Sequence, residues 1–553
     1  MNDRTQPHMA APDTAAQTGE SYFVNGKIFT GESEKHFVSG FGVCEGRFSR
    51  VLEDSEINSI PSDAEVVDLQ GRTVVPGMLD IHTHPAFMAS LTDSLEIFPP
   101  RVTSLDKMLD VLRSHPSLGA GSEAWVMAHG FDESKFSDGR KPSAQDLDRV
   151  AANQPVVARR CDGHTMVVNS FALELAEITA ATPDPEGGRI ERDDNGAPTG
   201  VLVETSAMNL VEKQRPSNGD RSAEQLAGLD EHFLSHGLVG VNDLYASFID
   251  DPLPTFRRAG EQGFSPQAVI YPGWDALVDS AEAGIVPDLS DDDRAGRIKI
   301  GGVKLFMDGA FSDRNAWNED PYPGTCSHGG RVATDDDMRS AVAWARRNGV
   351  QVAFHAMGDR ALNQVLTLFG EDEPWMGDVP SIRLDHASLF TPEMIDNLLR
   401  ARMSFGVISH TIFFFAEYEA YANNLSDTQF DNAYPIRSFY ERVPHTALAS
   451  DSPATAWADA DNVFTSIRAA VERRSHDGSD IGQNQAISVA QAMLLYTARA
   501  AEVTCLEGLG RIRPGFEASF VVLDRDLFTL PIEQLDAVQV SQTWLAGTKR
   551  YEA

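Results

Sequence analysis

Eight short apolar runs recur through the central part of the chain: GMLDIHTH (77–84), LVGVNDLY (238–245), PQAVIYP (266–272), IKIGGVKLFMD (298–308), VQVAFHA (350–356), IRLDHAS (382–388), MSFGVIS (403–409) and HTALASD (445–451). Amphipathic stretches lie between several of them. One, TDDDMRSAVAWARRNG, has a Thr cap, an acidic first turn and a terminal Gly, the marks of a helix. This alternation predicts an α/β fold with a parallel sheet, and eight βα units predict a (β/α)8 TIM barrel.

The interval between the first and second runs is far longer than one crossover helix needs, so residues 91–225 are expected to form an inserted α/β subdomain. Within it, PEGGRIERDDNGAPTGV reads as a β-hairpin with connecting loops. The barrel then comprises residues 77–90 and 226–509. Short strands with tight turns occupy 21–76 and 510–553, which predicts a small β-sandwich built from both termini. Asn25-Gly26 reads as a type I′ hairpin turn, and further turns fall at Glu45-Gly46 and Gln70-Gly71. Residues 1–20 read as a disordered tail.

Charge narrows the partners. The 553 residues carry 46 Lys+Arg against 82 Asp+Glu, a formal net charge of −36, which repels nucleic-acid phosphates and anionic membrane surfaces. No apolar run is long enough to span a bilayer and the first residues lack a secretory pattern, so a cytoplasmic location is expected. Cys44, Cys161, Cys326 and Cys505 are too scattered for a disulfide framework and are expected to be reduced and buried. A homodimer is expected only from the general frequency of symmetric pairs.

His82 and His84 stand two apart at the end of the first run, so a strand aims both imidazoles to one side. Such a pair serves a metal or, equally, a hydrogen-bonded core. His355, His386 and Asp451 close three later runs. Four histidines and a carboxylate at one barrel mouth would be costly to fold without a compensating cation. Lys304 sits among apolar residues in GGVKLFMDG. Either it pairs with Asp308, or its neutral amine takes up carbon dioxide as a carbamate that bridges two metals.

PGMLDIHTHP, Lys304, His355, His386 and Asp451, in that order, resemble the amidohydrolase superfamily of metal-dependent hydrolases. GGVKLFMDGA, VAFHAMGDRA, RLDHASL, ALASDSPA, DGHTMVVNSFAL and GGRIERDDNGAPTGVLVET resemble its YtcJ-like branch, which includes N-substituted formamide deformylases. The resemblance runs from residue 21 to the C-terminus. It implies one metal on His82, His84 and Asp451, another on His355 and His386, and carboxylated Lys304 between them, with zinc the expected ion. The implied reaction is hydrolysis of a carbon–nitrogen bond in a small amide by a metal-bridging hydroxide, with Asp451 as general acid/base.

His164 in the insertion is expected to orient substrate or to be a surface histidine. Asp308 and Arg314 are expected to contact substrate or each other. Phe413, Phe414, Phe415 and Tyr418 would form an aromatic wall at the mouth, or else helix core. FMDGAFSDRNA and SDSPA depart from the commoner family motifs beside the expected pocket, so no relative's substrate is carried over. Two rivals remain open: a mononuclear deaminase, cyclic amidase or esterase, and a non-catalytic metal-stabilised binding protein. The second is disfavoured because a structural metal site needs no residual base.

Overall fold

The computed structural model describes residues 19–137, 139–185, 188–215, 221–281 and 285–553. The expected tail falls outside them through residue 18. All eight central runs are parallel strands, and they are Met78–Thr83, Leu238–Leu244, Gln267–Tyr271, Ile298–Ile300 with Gly302–Phe306, Gln351–Ala356, Ile382–His386, Phe405–Ser409 and Thr446–Leu448. Most are buried along their whole length, as parallel strands covered on both faces must be.

The fourth run is interrupted at Gly301, which divides the parallel strands into a four-stranded and a five-stranded sheet. Backbone bonds join the two. Lys304 N–H donates to the Pro272 carbonyl at 2.9 Å, and on the other side Asp451 N–H donates to the His82 carbonyl at 2.8 Å. Glycine is required beside the interruption, because a Cβ on Gly302 would lie 2.4 Å from the Gln351 carbonyl oxygen.

Both termini contribute to one eight-stranded sheet, in which Phe520–Leu523 pairs antiparallel with Thr73–Pro76. Its turns partly depart from expectation. Glu45 (φ 50°) and Gly46 (φ 74°) make the hairpin between Phe37–Cys44 and Arg47–Leu52. Asn25-Gly26 makes none. Only Asn25 has positive φ (58°), and strand Ser21–Phe29 runs through it with a shift of register. Gln70-Gly71 turns the chain, but Glu65–Asp68 and Thr73–Pro76 each pair with Ser21–Phe29 and not with each other. One strand thus accepts two short ones in succession along a single edge.

A six-stranded sheet spans Leu95 to Val203 and includes the expected hairpin, Arg189–Arg192 with Pro198–Val203. Of the cysteines only Cys161 is buried; Cys44 and Cys505 are half-buried and Cys326 is exposed, and all four are free thiols. The expectation of burial fails for Cys326 because it lies in the irregular segment between Phe306 and Asp335, outside any packed element. Among the described residues no helix is long and apolar enough to cross a membrane.

The Asp335–Asn348 helix illustrates how local chemistry sets an element's limits. Thr334 Oγ1 accepts from Asp337 N–H while Asp337 accepts from Thr334, and Gly349 ends the helix at φ 61°. Thr334→Ala is expected to cost about 1 kcal/mol, read as a lower denaturation midpoint with unchanged turnover.

Candidate metal centre

The strand ends deliver all six expected ligands, His82, His84, Lys304, His355, His386 and Asp451, to the wall of one cavity of about 890 Å³. His82, His84 and Asp451 form the tightest group, with ligand atoms within 4.8 Å of one another. His84 Nε2 is 2.7 Å and His82 Nε2 3.2 Å from Asp451 Oδ1. The His355 and His386 rings are 4.3 Å apart, and His386 is 4.8 Å from His82.

Strand geometry alone would not achieve this convergence. Asp385 and His386 are adjacent, so regular pleating would send them to opposite faces. His386 instead has φ 71° and Ala387 φ 43°, and Asp451 has φ 59°. Left-handed backbone at non-glycine residues costs about 1–3 kcal/mol each and persists where surrounding structure imposes it. Here it turns ligands toward the cavity at the point where their strands end.

Sequence reasoning missed three residues. His410 follows strand Phe405–Ser409, is fully buried, and has neither ring nitrogen hydrogen-bonded; its ring is 4.8 Å from His82 and 4.6 Å from His386. It occupies the same strand-end position as the other histidines, which is the signal that would have found it. Arg383 and Asp385, two apart on one strand, share a face. Asp385 Oδ1 accepts from Arg383, while Oδ2 lies 3.2 Å from His82 Nδ1 and 3.3 Å from Lys304 Nζ. Charged residues at alternate positions of a buried strand were the available signal.

The expected Lys304–Asp308 ion pair is therefore replaced by Lys304–Asp385. Asp308 lines the cavity, but its carboxylate accepts from the N–H groups of Trp317, Met357 and Gly358 at 2.8–3.0 Å, so it braces the chain beyond His355. It does not pair with Arg314, which donates to Asn424 Oδ1 at 2.7 Å and is not among the cavity-lining residues. Phe413 lines the cavity and stacks on His386 at 5.7 Å. Phe414, Phe415 and Tyr418 are not among the cavity-lining residues and pack with Phe413 in an apolar cluster behind it, so only one of the four supplies the expected wall.

Electrostatics suit a divalent cation. Burial holds His355 down to about 3, helped by Lys304, and burial and neighbouring imidazoles keep His386 and His410 well below the usual range. All three are neutral donors at physiological pH. Burial opposes ionisation of Asp451 and Asp385, but the charges and bonds around them prevail and hold both well below the usual carboxylate range. Burial lowers Lys304 against the pull of Asp385. His84 Nδ1, His386 Nδ1 and both His410 nitrogens are buried without hydrogen-bond partners. Neutral imidazoles and carboxylates with unused donor atoms form a set that a borderline ion such as zinc would satisfy.

His164 lines the cavity from the six-stranded region and bonds Glu204 through Nδ1 at 3.0 Å. Burial would lower it, but Glu204 and Asp162 outweigh that and raise it to about 9.

Arg383 has no exposed surface. Asp385→Asn would leave its guanidinium buried without a counter-charge, and is expected to cost about 3–5 kcal/mol in denaturant titrations of chelator-treated protein.

The amidohydrolase family model matches residues 65–551. An N-substituted formamide deformylase of Arthrobacter pascens is 28% identical, over 97% of this chain and 99% of its own. A putative amidohydrolase, YtcJ, of Bacillus subtilis is 27% identical over 89% and 91%. Among solved structures, an uncharacterized metal-dependent hydrolase from Pyrococcus horikoshii superposes with a TM-score of 0.72 at 23% identity, over 93% of this chain and 99% of that one, which is a likeness of fold. With one family model spanning nearly all the described chain, the protein belongs to the amidohydrolase family and is a hydrolase of carbon–nitrogen bonds.

Proposed function

We propose that the chain is a binuclear metal-dependent amidohydrolase acting on an amide whose nitrogen carries an apolar or aromatic substituent, with N-substituted formamides as first candidates. The observation that carries this reading is the meeting of four histidines, Lys304 and Asp451 on one cavity. In this reading the eight parallel strands close into a (β/α)8 barrel, supported by the backbone bonds on both sides of the interruption. Residues 21–76 with 510–553 would then form the flanking β-sandwich as one eight-stranded sheet folded over the apolar cluster that includes Phe23, Phe41 and Phe520, and 91–225 an inserted subdomain.

His82, His84 and Asp451 would hold one ion and His355 and His386 the other, with a carbamate on Lys304 between them. Divalent metals bound there would polarise the substrate carbonyl and supply hydroxide at neutral pH. Lys304 suits the modification because burial favours its neutral amine, the form that combines with carbon dioxide. Asp385, beside His82 Nδ1, would fix that imidazole's orientation and tautomer. Asp451, ionised and in contact with His82 and His84, would take a proton from the attacking water and return it to the leaving amine.

The cavity wall suits the proposed substituent. Phe87 and Phe248 stack at 4.5 Å, and Tyr245 meets Phe306 at 5.3 Å, all four lining the cavity. His164, as a cation, would donate to the substrate's carbonyl or acyl oxygen. A second reading, a single ion on His82, His84 and Asp451, draws on the compactness of that group, and metal content per chain decides between them.

Asp451→Asn is expected to lower kcat about 10²–10⁴-fold while circular dichroism stays unchanged. Metal-loaded protein tested on N-substituted formamides, other acyl amides, cyclic amides and esters should release amine; activity confined to esters would reject the amidase reading. KM should rise as pH passes through about 9, where His164 loses its proton, and His164→Gln should abolish that rise.

A further inference from the structure

A second histidine–carboxylate group lies apart from the cavity. His232 belongs to helix Asp230–Ser235, His236 caps its C-terminal end, and Asp461 comes from the segment preceding helix Val463–Glu472. Ligand atoms of the three lie within 4.8 Å of one another, and none of the three is among the cavity-lining residues.

Positions four apart on a helix face the same way, and the two rings lie 4.5 Å from centroid to centroid. Asp461 is 1% exposed, so its carboxylate needs a positive partner; His232 Nε2 approaches its Oδ2 at 2.5 Å. His236 Nδ1 lies 2.8 Å from the His232 carbonyl oxygen, to which it can only donate. That bond fixes the proton on Nδ1 and leaves the Nε2 lone pair for a cation, as metal-binding histidines are commonly oriented. Asp459 and Glu96 add negative charge around His232.

We propose that His232, His236 and Asp461 form a separate site for a divalent transition ion of the zinc type, with water completing its coordination. Two imidazoles and one carboxylate suit such an ion. Bound there, it would tie the helix leading into strand Leu238–Leu244 to the segment that begins at Asp451.

The full chain is stripped with a chelator, reloaded with zinc and freed of excess, and metal per chain is measured beside His236→Ala and His232→Gln. Each variant is expected to retain one ion fewer than the parent. Crystals of the cobalt-loaded parent should show an anomalous-scattering peak between the three side chains, which decides the matter even if a variant fails to fold. His355→Ala, which alters the cavity instead, should leave that peak in place, so failure of this site and failure of the catalytic reading are told apart. Equal metal content in parent and folded variants, or no peak in the parent, would overturn the proposal and leave an ordinary histidine–aspartate ion pair.

Discussion

The pairing of Arg383 with Asp385 is the interaction on which the rest depends. Neither has exposed surface, and each charge offsets the cost of burying the other. Arg383 also donates to the Ile81 carbonyl at 2.7 Å and lies over the Tyr271 ring, whose hydroxyl reaches Gln351. One oxygen of Asp385 serves this interior network while the other faces His82 and Lys304. The packed interior and the expected ligand set are therefore joined through a single carboxylate. Replacing such a pair by apolar residues is often neutral or stabilising for the fold. Its presence beneath the ligands is thus better explained by what it orients than by stability.

Much of this architecture was legible because two periodicities coincide in the sequence. The strands are short apolar runs, and their last residues are those that can bind a metal, so fold and site reinforce each other at His82, His355 and Asp451. Legibility failed where backbone geometry overrode the pleat. Period-two reasoning assigns Asp385 and His386 to opposite faces, and only the positive φ of His386 reveals that both serve the site. His410 was hidden by the phenylalanines that follow it, of which only Phe413 faces the cavity.

The turn at Asn25-Gly26 shows the opposite failure. A type I′ turn needs positive φ at both residues; only Asn25 adopts it, and the strand runs on through the pair with a shift of register instead of reversing. Composition was equally silent on Cys326, whose exposure follows from a long irregular segment that no periodicity marks. Short-range signals fix what the backbone can do; which option is taken depends on the strands that pair alongside, here Glu65–Asp68 and Thr73–Pro76.

The six-stranded region is contributed by residues between the first two parallel strands, and it brings Met127, Arg159, His164 and Glu204 to the cavity without supplying any of the six expected metal ligands. In the proposed reading, the machinery and the gatehouse are thus encoded in separate stretches of chain. In that reading, exchanging the gatehouse would change which molecules are admitted while the reactive apparatus is inherited unaltered.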